Sequence, residues 1–298
     1  MSHWILLITL ALAPFRCHQH STARYLSVCA IFQNEAQWLR EWIEYHRLIG
    51  VEYFLLYNNG SSDDWQAVLQ PYIEEGVVRV IDWGTGDDPF PDEQIRAYNH
   101  SLRQLRRTSE WVAYIDIDEF IVPIECDSLA DFLRDYEEYG GVVLNWRTFG
   151  TGGVELLDEG ELLIEALQKA VDQKGHETEV VKSIVRPRRT LHPNGVHRFF
   201  YRPGFFAVDT NFERSNPIEP RCCARKVLFD RCLINHYRLR TCDWAFGEKA
   251  RRNAHFYGTT MEKERSQLKL KDDCLNKITN LDIQRFVPSL KERLGCPS

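Results

Sequence analysis

The chain has no excess of positive charge: 37 Lys and Arg face 43 Asp and Glu in 298 residues, a formal net charge of −6. That balance speaks against a dedicated nucleic-acid binder. Basic clusters at 103–107, 186–189 and 248–252 are short enough to be solvated helix faces, or at most local seats for a small anion. No Cys-x-x-Cys pair occurs among the nine cysteines, so a zinc ribbon or thioredoxin-like motif has no support. Five of them fall between Cys222 and Cys274, with Cys222 and Cys223 adjacent. Buried free thiols and disulfides of an oxidising compartment are both open. Past the N-terminus no apolar run approaches the roughly 20 residues that span a bilayer. The run from Trp4 to Phe15 is also shorter, and Thr9 and Pro14 interrupt it. It has the look of a signal-peptide core but lacks a Lys or Arg ahead of it and a small-x-small cleavage site. A signal, a short anchor giving membrane association, a secretory or a cytoplasmic location all stay open. Internal repeats, low-complexity tracts and linkers are missing too, which favours one domain behind a signal- or anchor-like segment at 1–23.

What is present is an alternation of strand-like and helix-like segments. RYLSVCAIF (24–32) is apolar and β-prone, and the following stretch carries Trp38, Trp42, His46 and Ile49 at helical spacing up to Gly50. VEYFLLY (51–57), VVRVIDW (77–83) and WVAYIDI (111–117) read as further strands. Between them fall helices at 64–74, capped by Ser62 or Asp63, and around Ile95, Tyr98, Leu102 and Leu105. Such β-α-β-α order predicts a mostly parallel sheet with helices on both faces. Ligands of such sheets bind beyond the carboxyl ends of the strands. Three polar pieces lie at those ends: QNE at 33–35, NNGSSDD at 58–64 and the acids at 116–119. Later segments predict a strand at GVVLNWRTF (141–149), a helix at ELLIEALQKAV (161–171), strands at EVVKSIV (179–185) and LINHY, a helix at 242–256 and a helical tail.

The acidic cluster is the most informative stretch. In an extended segment Asp116 and Asp118 point the same way while Ile117 turns to the core. Two carboxylates converging at a sheet's mouth repel unless they share a cation, and oxygen ligands favour Mg2+ or Mn2+. Such an ion usually bridges to substrate phosphates. A phosphohydrolase of the D-x-D-x-[TV] type would need Thr or Val where Phe120 stands, and an EF-hand would need a Gly and more ligands.

The combination CAIFQNEAQWLREWIEYHRLIGVEYFLLYNNGSSDD, QIRAYNHSL and WVAYIDIDEFIVP resembles glycosyltransferase family 92 and its GT-A relatives, over roughly residues 25–255. The resemblance implies an α/β GT-A-like fold at 24–258 with a helical C-terminal extension at 259–298. It also implies transfer of a hexose, galactose in characterised members, from a UDP-sugar to a glycan or glycoconjugate hydroxyl, with Mn2+ (or Mg2+) and inversion. Carried over by position, Asn34, Glu35, Asn58 and Asp63 would lie beside the nucleoside, and Gln94 and Asn99 would reach the donor. Asp116 and Asp118 match the metal and diphosphate motif, with Glu119 behind them. KSIVRPRRTLHPNGVHRF (182–199) and INHYRLRTCDWAFGEKARRN (234–253) resemble the family's later segments. These would make His236 the third metal ligand and let Lys182, His197 and Lys249 balance phosphate charge. Trp146 and Phe149 could offer an apolar platform to an acceptor sugar, with core packing as the alternative. The base is not legible; Asp209, after the apolar FFAV, is the first candidate, with Glu165, Glu179 and Glu213 competing. A non-catalytic sugar-nucleotide or glycan-binding module is the rival reading. Two sequons, at Asn59 and Asn99, fall inside the expected donor site and should be unmodified.

Overall fold

The computed structural model describes residues 24–84, 90–173, 177–215, 224 and 226–296. The apolar segment at 1–23 and the Cys222–Cys223 pair lie outside them. The strands are β1 (Arg24–Phe32), β2 (Tyr53–Asn59), β3 (Val78–Gly84), β4 (Ser109–Tyr114), β5 (Glu119–Pro123), β6 (Gly141–Thr148) and β7 (Lys169–Ala170). They continue with β8 (Val181–Val185), β9 (Thr190–Asn194), β10 (Arg198–Tyr201), β11 (Ala207–Val208), β12 (Arg214–Ser215), β13 (Cys232–His236) and β14 (Ile278–Thr279). The helices are α1 (Ala36–Leu48), α2 (Trp65–Glu75), α3 (Phe90–Leu105), α4 (Leu129–Arg134), α5 (Leu163–Ala166), α6 (Ala250–Tyr257), α7 (Met261–Leu275) and α8 (Val287–Leu294).

Ten strands form one sheet, ordered β12-β11-β6-β8-β4-β1-β2-β3, with β13 joining β6 to β5. The first half is parallel, β4 to β1 to β2 to β3, and β8 runs antiparallel between β4 and β6. This is the mostly parallel α/β architecture read from the sequence. β1 shows why its apolar run is continuous: Leu26, Val28, Ala30 and Phe32 face a core shared with α1, α2 and α8, while Cys29 and Ile31 face a second core against α3. A strand covered on both sides has no solvent face to make polar. α2 stops at Gly76, whose φ of 79° is the left-handed conformation that favours glycine.

Three expectations change. The fourth strand ends at Tyr114, not at 117, and 115–118 is a turn closed by the Glu119 N–H donating to the Asp116 carbonyl at 3.1 Å. The helix expected at 161–171 is only Leu163–Ala166, because Lys169–Ala170 leaves it to pair with β14. Asp63 does not cap α2. Its Oδ2 accepts from the Ala36 N–H at 2.7 Å, so it caps α1 from the neighbouring loop.

The segment after residue 258 is helical and integral. Ile283, Phe286, Val287, Leu290 and Leu294 belong to the main core, and α8 packs on α1. Among the described residues, no helix is long and apolar enough to cross a membrane.

Candidate active site at the carboxyl ends of the parallel strands

The turn between β4 and β5 carries Asp116 and Asp118, and its geometry sends them to different partners. Asp116 Oδ1 accepts from Gln94 Nε2 of α3 at 2.7 Å, with the Tyr98 hydroxyl at 3.5 Å. Its Oδ2 accepts from Lys182 Nζ of β8 at 2.8 Å. The same ammonium lies 3.6 Å from Glu119 Oε1, and Glu119 Oε2 accepts from the Asp116 N–H at 3.0 Å. Lys182 and Glu119 are both fully buried. Burial works against the Lys182 charge, but Asp116 and Glu119 outweigh it and raise its pKa. Burial, together with the nearby Asp116 and Asp118 charges, pushes Glu119 well up against the pull of Lys182. The expectation that both aspartates point one way fails because the segment is a turn rather than extended chain.

Asp118 faces β13. The Tyr237 N–H donates to its carbonyl at 2.8 Å, and its Oδ2 stands 3.6 Å from His236 Nε2. Register fixes this meeting: His236 pairs with Glu119 of β5 on one side and Thr148 of β6 on the other. Burial raises the Asp118 pKa, but the cationic surroundings win and hold it below the ordinary carboxylate range. His236 goes the other way, since burial lowers its pKa by more than Asp118 lifts it. His236 comes first among the groups that hold the Asp118 carboxylate down, and the charges of Arg240 and Lys249 add to it. Trp146 flanks both histidines, its ring centroid 4.2 Å from His236 and 5.3 Å from His197. His197 is anchored through Nδ1 to the Val181 carbonyl at 2.9 Å, and burial first, Lys182 second, push its pKa down to about 3.

A basic group closes the far side. Arg240 is 2% exposed, holds a left-handed φ of 55°, and lies between Trp38 and Trp244 with its guanidinium carbon 5.0 and 4.3 Å from the ring centroids. One arm donates to Glu35 Oε2, while Nε and Nη1 are buried without hydrogen-bond partners. Lys249 ends a π-helical turn, Trp244–Lys249, with Nζ 4.8 Å from the Trp244 centroid; burial brings its pKa down to about 7. Arg240 escaped the sequence reading, although a basic residue four positions before Trp244 in RLRTCDW was its signal.

The ends of β1 and β2 are tied together. The Asn34 N–H donates to Ser61 Oγ at 2.9 Å and Asn34 Oδ1 accepts from the Ser62 N–H at 2.7 Å, with Asn34 at φ 54°. Asn58 donates to Asp82 Oδ1 at 2.9 Å and accepts from the Ser61 N–H at 2.9 Å. Glu35 and Asp63 sit at the same place, one against Arg240 and the other on α1. The structure therefore brings Asn34, Glu35, Asn58, Asp63, Gln94, Lys182, His197, Lys249 and Trp146 to the mouth that holds Asp116, Asp118 and His236.

Three expected residues do not join them. Phe149 is fully buried against Tyr237, centroids 4.5 Å apart, and presents no face to a sugar. Asn99 lies five residues beyond Gln94 on α3, which turns it about 140° away from Asp116. Asp209 follows β11, whose Val208 pairs with Val142. The site lies at the Thr148 end of β6, about 20 Å along the strand. There Asp209 Oδ1 accepts from the Asn211 and Glu213 N–H groups at 2.9 and 3.0 Å, holding its own hairpin. Of the competing bases, Glu165 pairs with Lys291 and Glu213 with Lys226.

Asp118 and His236 also fit a divalent cation. Their 3.6 Å separation is too long for a hydrogen bond. Two atoms each about 2.1 Å from one ion stand about 3 to 4 Å apart. One hard oxygen and one neutral imidazole are suitable donors. Among the described residues no group of three or more His, Cys, Asp or Glu is gathered for a metal.

Comparison with known proteins is consistent across the chain. The family model described as Glycosyltransferase family 92 matches residues 24–274. A glycosyltransferase family 92 protein of Oryza sativa subsp. japonica is 31% identical over 206 residues, 66% of this chain and 33% of that protein. One from Ricinus communis is 26% identical over 249 residues, 81% of this chain and 40% of that protein. The chain thus spans between about a third and two fifths of these curated relatives. A galactan beta-1,4-galactosyltransferase of Arabidopsis thaliana is 33% identical over 108 residues, 35% of this chain and 21% of that protein. Among solved structures, S. aureus TarS 1-349 superposes with a TM-score of 0.35 at 16% identity, covering 55% of this chain and 47% of that one. A superposition at that level says nothing about chemistry.

Proposed function

Because this chain belongs to glycosyltransferase family 92, we propose that it moves a hexose from a UDP-sugar to a glycan hydroxyl with the help of a divalent cation. The observation that carries this reading is the facing pair Asp118 and His236, 3.6 Å apart at the carboxyl ends of parallel strands, with Arg240 and Lys249 close behind. Galactose is the favoured sugar, supported by the galactan beta-1,4-galactosyltransferase relative.

In this reading Asp118 and His236 would hold Mn2+ or Mg2+, which when bound supplies charge neutralisation to the departing diphosphate. The chain's own residues do the rest. Lys249, and Arg240 held between Trp38 and Trp244, would keep positive charge beside Asp118 where the diphosphate would lie. Asn34, Asn58 and Asp63 stiffen the loops on which a nucleoside would rest. Trp146, beside both histidines, would give the sugar an apolar wall.

The test is a panel of UDP-sugars with a galactan oligosaccharide acceptor, assayed with Mn2+ and with chelator. UDP release that needs both metal and acceptor, and that falls roughly 100-fold in Asp118→Asn, is expected. Metal-dependent UDP binding with no turnover on any acceptor would instead mark a binding module.

A further inference from the structure

We propose that Lys182 is a resident counter-ion of the acidic turn and withdraws Asp116 from ion binding. The inference rests on the metal-dependent reading above and divides labour within it. Lys182 is 1% exposed, and its place on β8, opposite Leu144 of β6, aims its ammonium at the turn. Nζ lies 2.8 Å from Asp116 Oδ2 and 3.6 Å from Glu119 Oε1. The other oxygen of Asp116 accepts from Gln94 at 2.7 Å. Both oxygens of Asp116 are thus engaged by side chains of the same protein, whereas Asp118 Oδ2 faces an imidazole nitrogen at a distance that leaves room for an ion.

A second charge arriving at Asp116 would meet a desolvated ammonium that has no water to turn to, and like charges at that range repel strongly. The acids around the turn already have basic partners within the protein. Carboxyl groups of Asp116, Asp118, Glu119 and Glu35 are matched by Lys182, Arg240, Lys249 and Arg252. A divalent cation gains little from a pocket already balanced in this way. Its affinity has to come from phosphate oxygens that arrive with it. Metal and nucleotide therefore bind together, and Lys182 is the positioning residue that makes this so.

Mn2+ binding followed by the paramagnetic resonance of the free ion tests this without any turnover. The whole chain is titrated with and without UDP, and each variant is checked for native circular dichroism. Without UDP, Asp118→Asn is expected to weaken Mn2+ binding roughly tenfold and Lys182→Met to strengthen it roughly tenfold, while adding Asp116→Asn to Lys182→Met removes that gain. Saturating UDP should tighten wild-type binding by at least about tenfold and narrow the advantage of Lys182→Met. A Lys182→Met, Asp116→Asn double variant that binds Mn2+ as tightly as Lys182→Met would overturn the proposal, because the gain would then owe nothing to Asp116. So would a folded Lys182→Met that binds Mn2+ no more tightly than wild type. If Lys182→Met does not fold, Lys182→Gln takes its place in both comparisons. Wild type that fails to bind Mn2+ even with UDP sinks the metal-dependent reading itself, and this inference with it.

Discussion

Glu41 shows how one buried carboxyl shapes the stability of the whole. It sits on α1 and accepts from the N–H groups of Leu163 and Ile164 at 2.9 and 3.0 Å, tying down the start of α5. Burial raises its pKa to about 7, against the pull of those two donors. An unfolded glutamate titrates near about 4.3. Between those values the folded state holds the extra proton, so this contribution is full at low pH and is lost as pH rises toward 7. Urea unfolding at pH 5 and pH 7.5 should show wild type losing stability over that interval, with Glu41→Gln losing clearly less. Equal slopes would show that Glu41 is not the source. The two sequons are also decided at this scale. Asn59 is 2% exposed inside β2, and the Ser101 hydroxyl is buried, donating to the Tyr98 carbonyl. Mass spectrometry of protein made in a glycosylating host should find both asparagines bare.

Elements bring these residues together, and here the limits of the sequence show. The first four strands were legible because each is an apolar run ended by turn residues, and Asp116 and Asp118 stood out because they break that rule. The turn that separates them was not legible, since DID in a β-prone setting looks the same whether the chain stays extended or bends. Lys182 was noticed but assigned to phosphate, because only the β8 register tells which acid it reaches. Asp209 misled for a similar reason: it follows an apolar pair, yet that pair aligns with the wrong end of β6. The end of β6 is held from outside by α7. Asp272 accepts from the Thr151 N–H at 2.6 Å and from its hydroxyl at 2.7 Å, and a Cβ at Gly150 would stand 2.2 Å from Asn276 Oδ1. Asp272→Ala leaves two buried donors bare and should cost about 1–3 kcal/mol in chemical denaturation. Gly150→Ala should also destabilise, because the loop must shift away from α7. Neither change touches Asp118, so UDP binding by the folded fraction should be unaltered.

On the scale of the molecule, the C-terminal helices are structure rather than ornament. Five large side chains from 283–294 enter the main core. At about 1.5–3 kcal/mol each, their burial matches the entire net stability of a typical domain. A chain stopped after residue 258 should therefore be insoluble or lack a cooperative thermal transition, and calorimetry of the truncated protein checks it. We regard 24–296 as one folding unit on this basis. The alternation of strand-like and helix-like segments indicated an α/β protein, but it could not indicate that a distant tail completes the core around α1.

The placement of β13 has one more implication. His236 reaches Asp118 only because that strand is laid down between β5 and β6, more than a hundred residues after the acidic turn has been made. During translation, a ribosome paused before residue 232 would display the aspartates without their imidazole. On the proposed function, an immature chain of that kind could not spend activated sugar before β13 had been delivered.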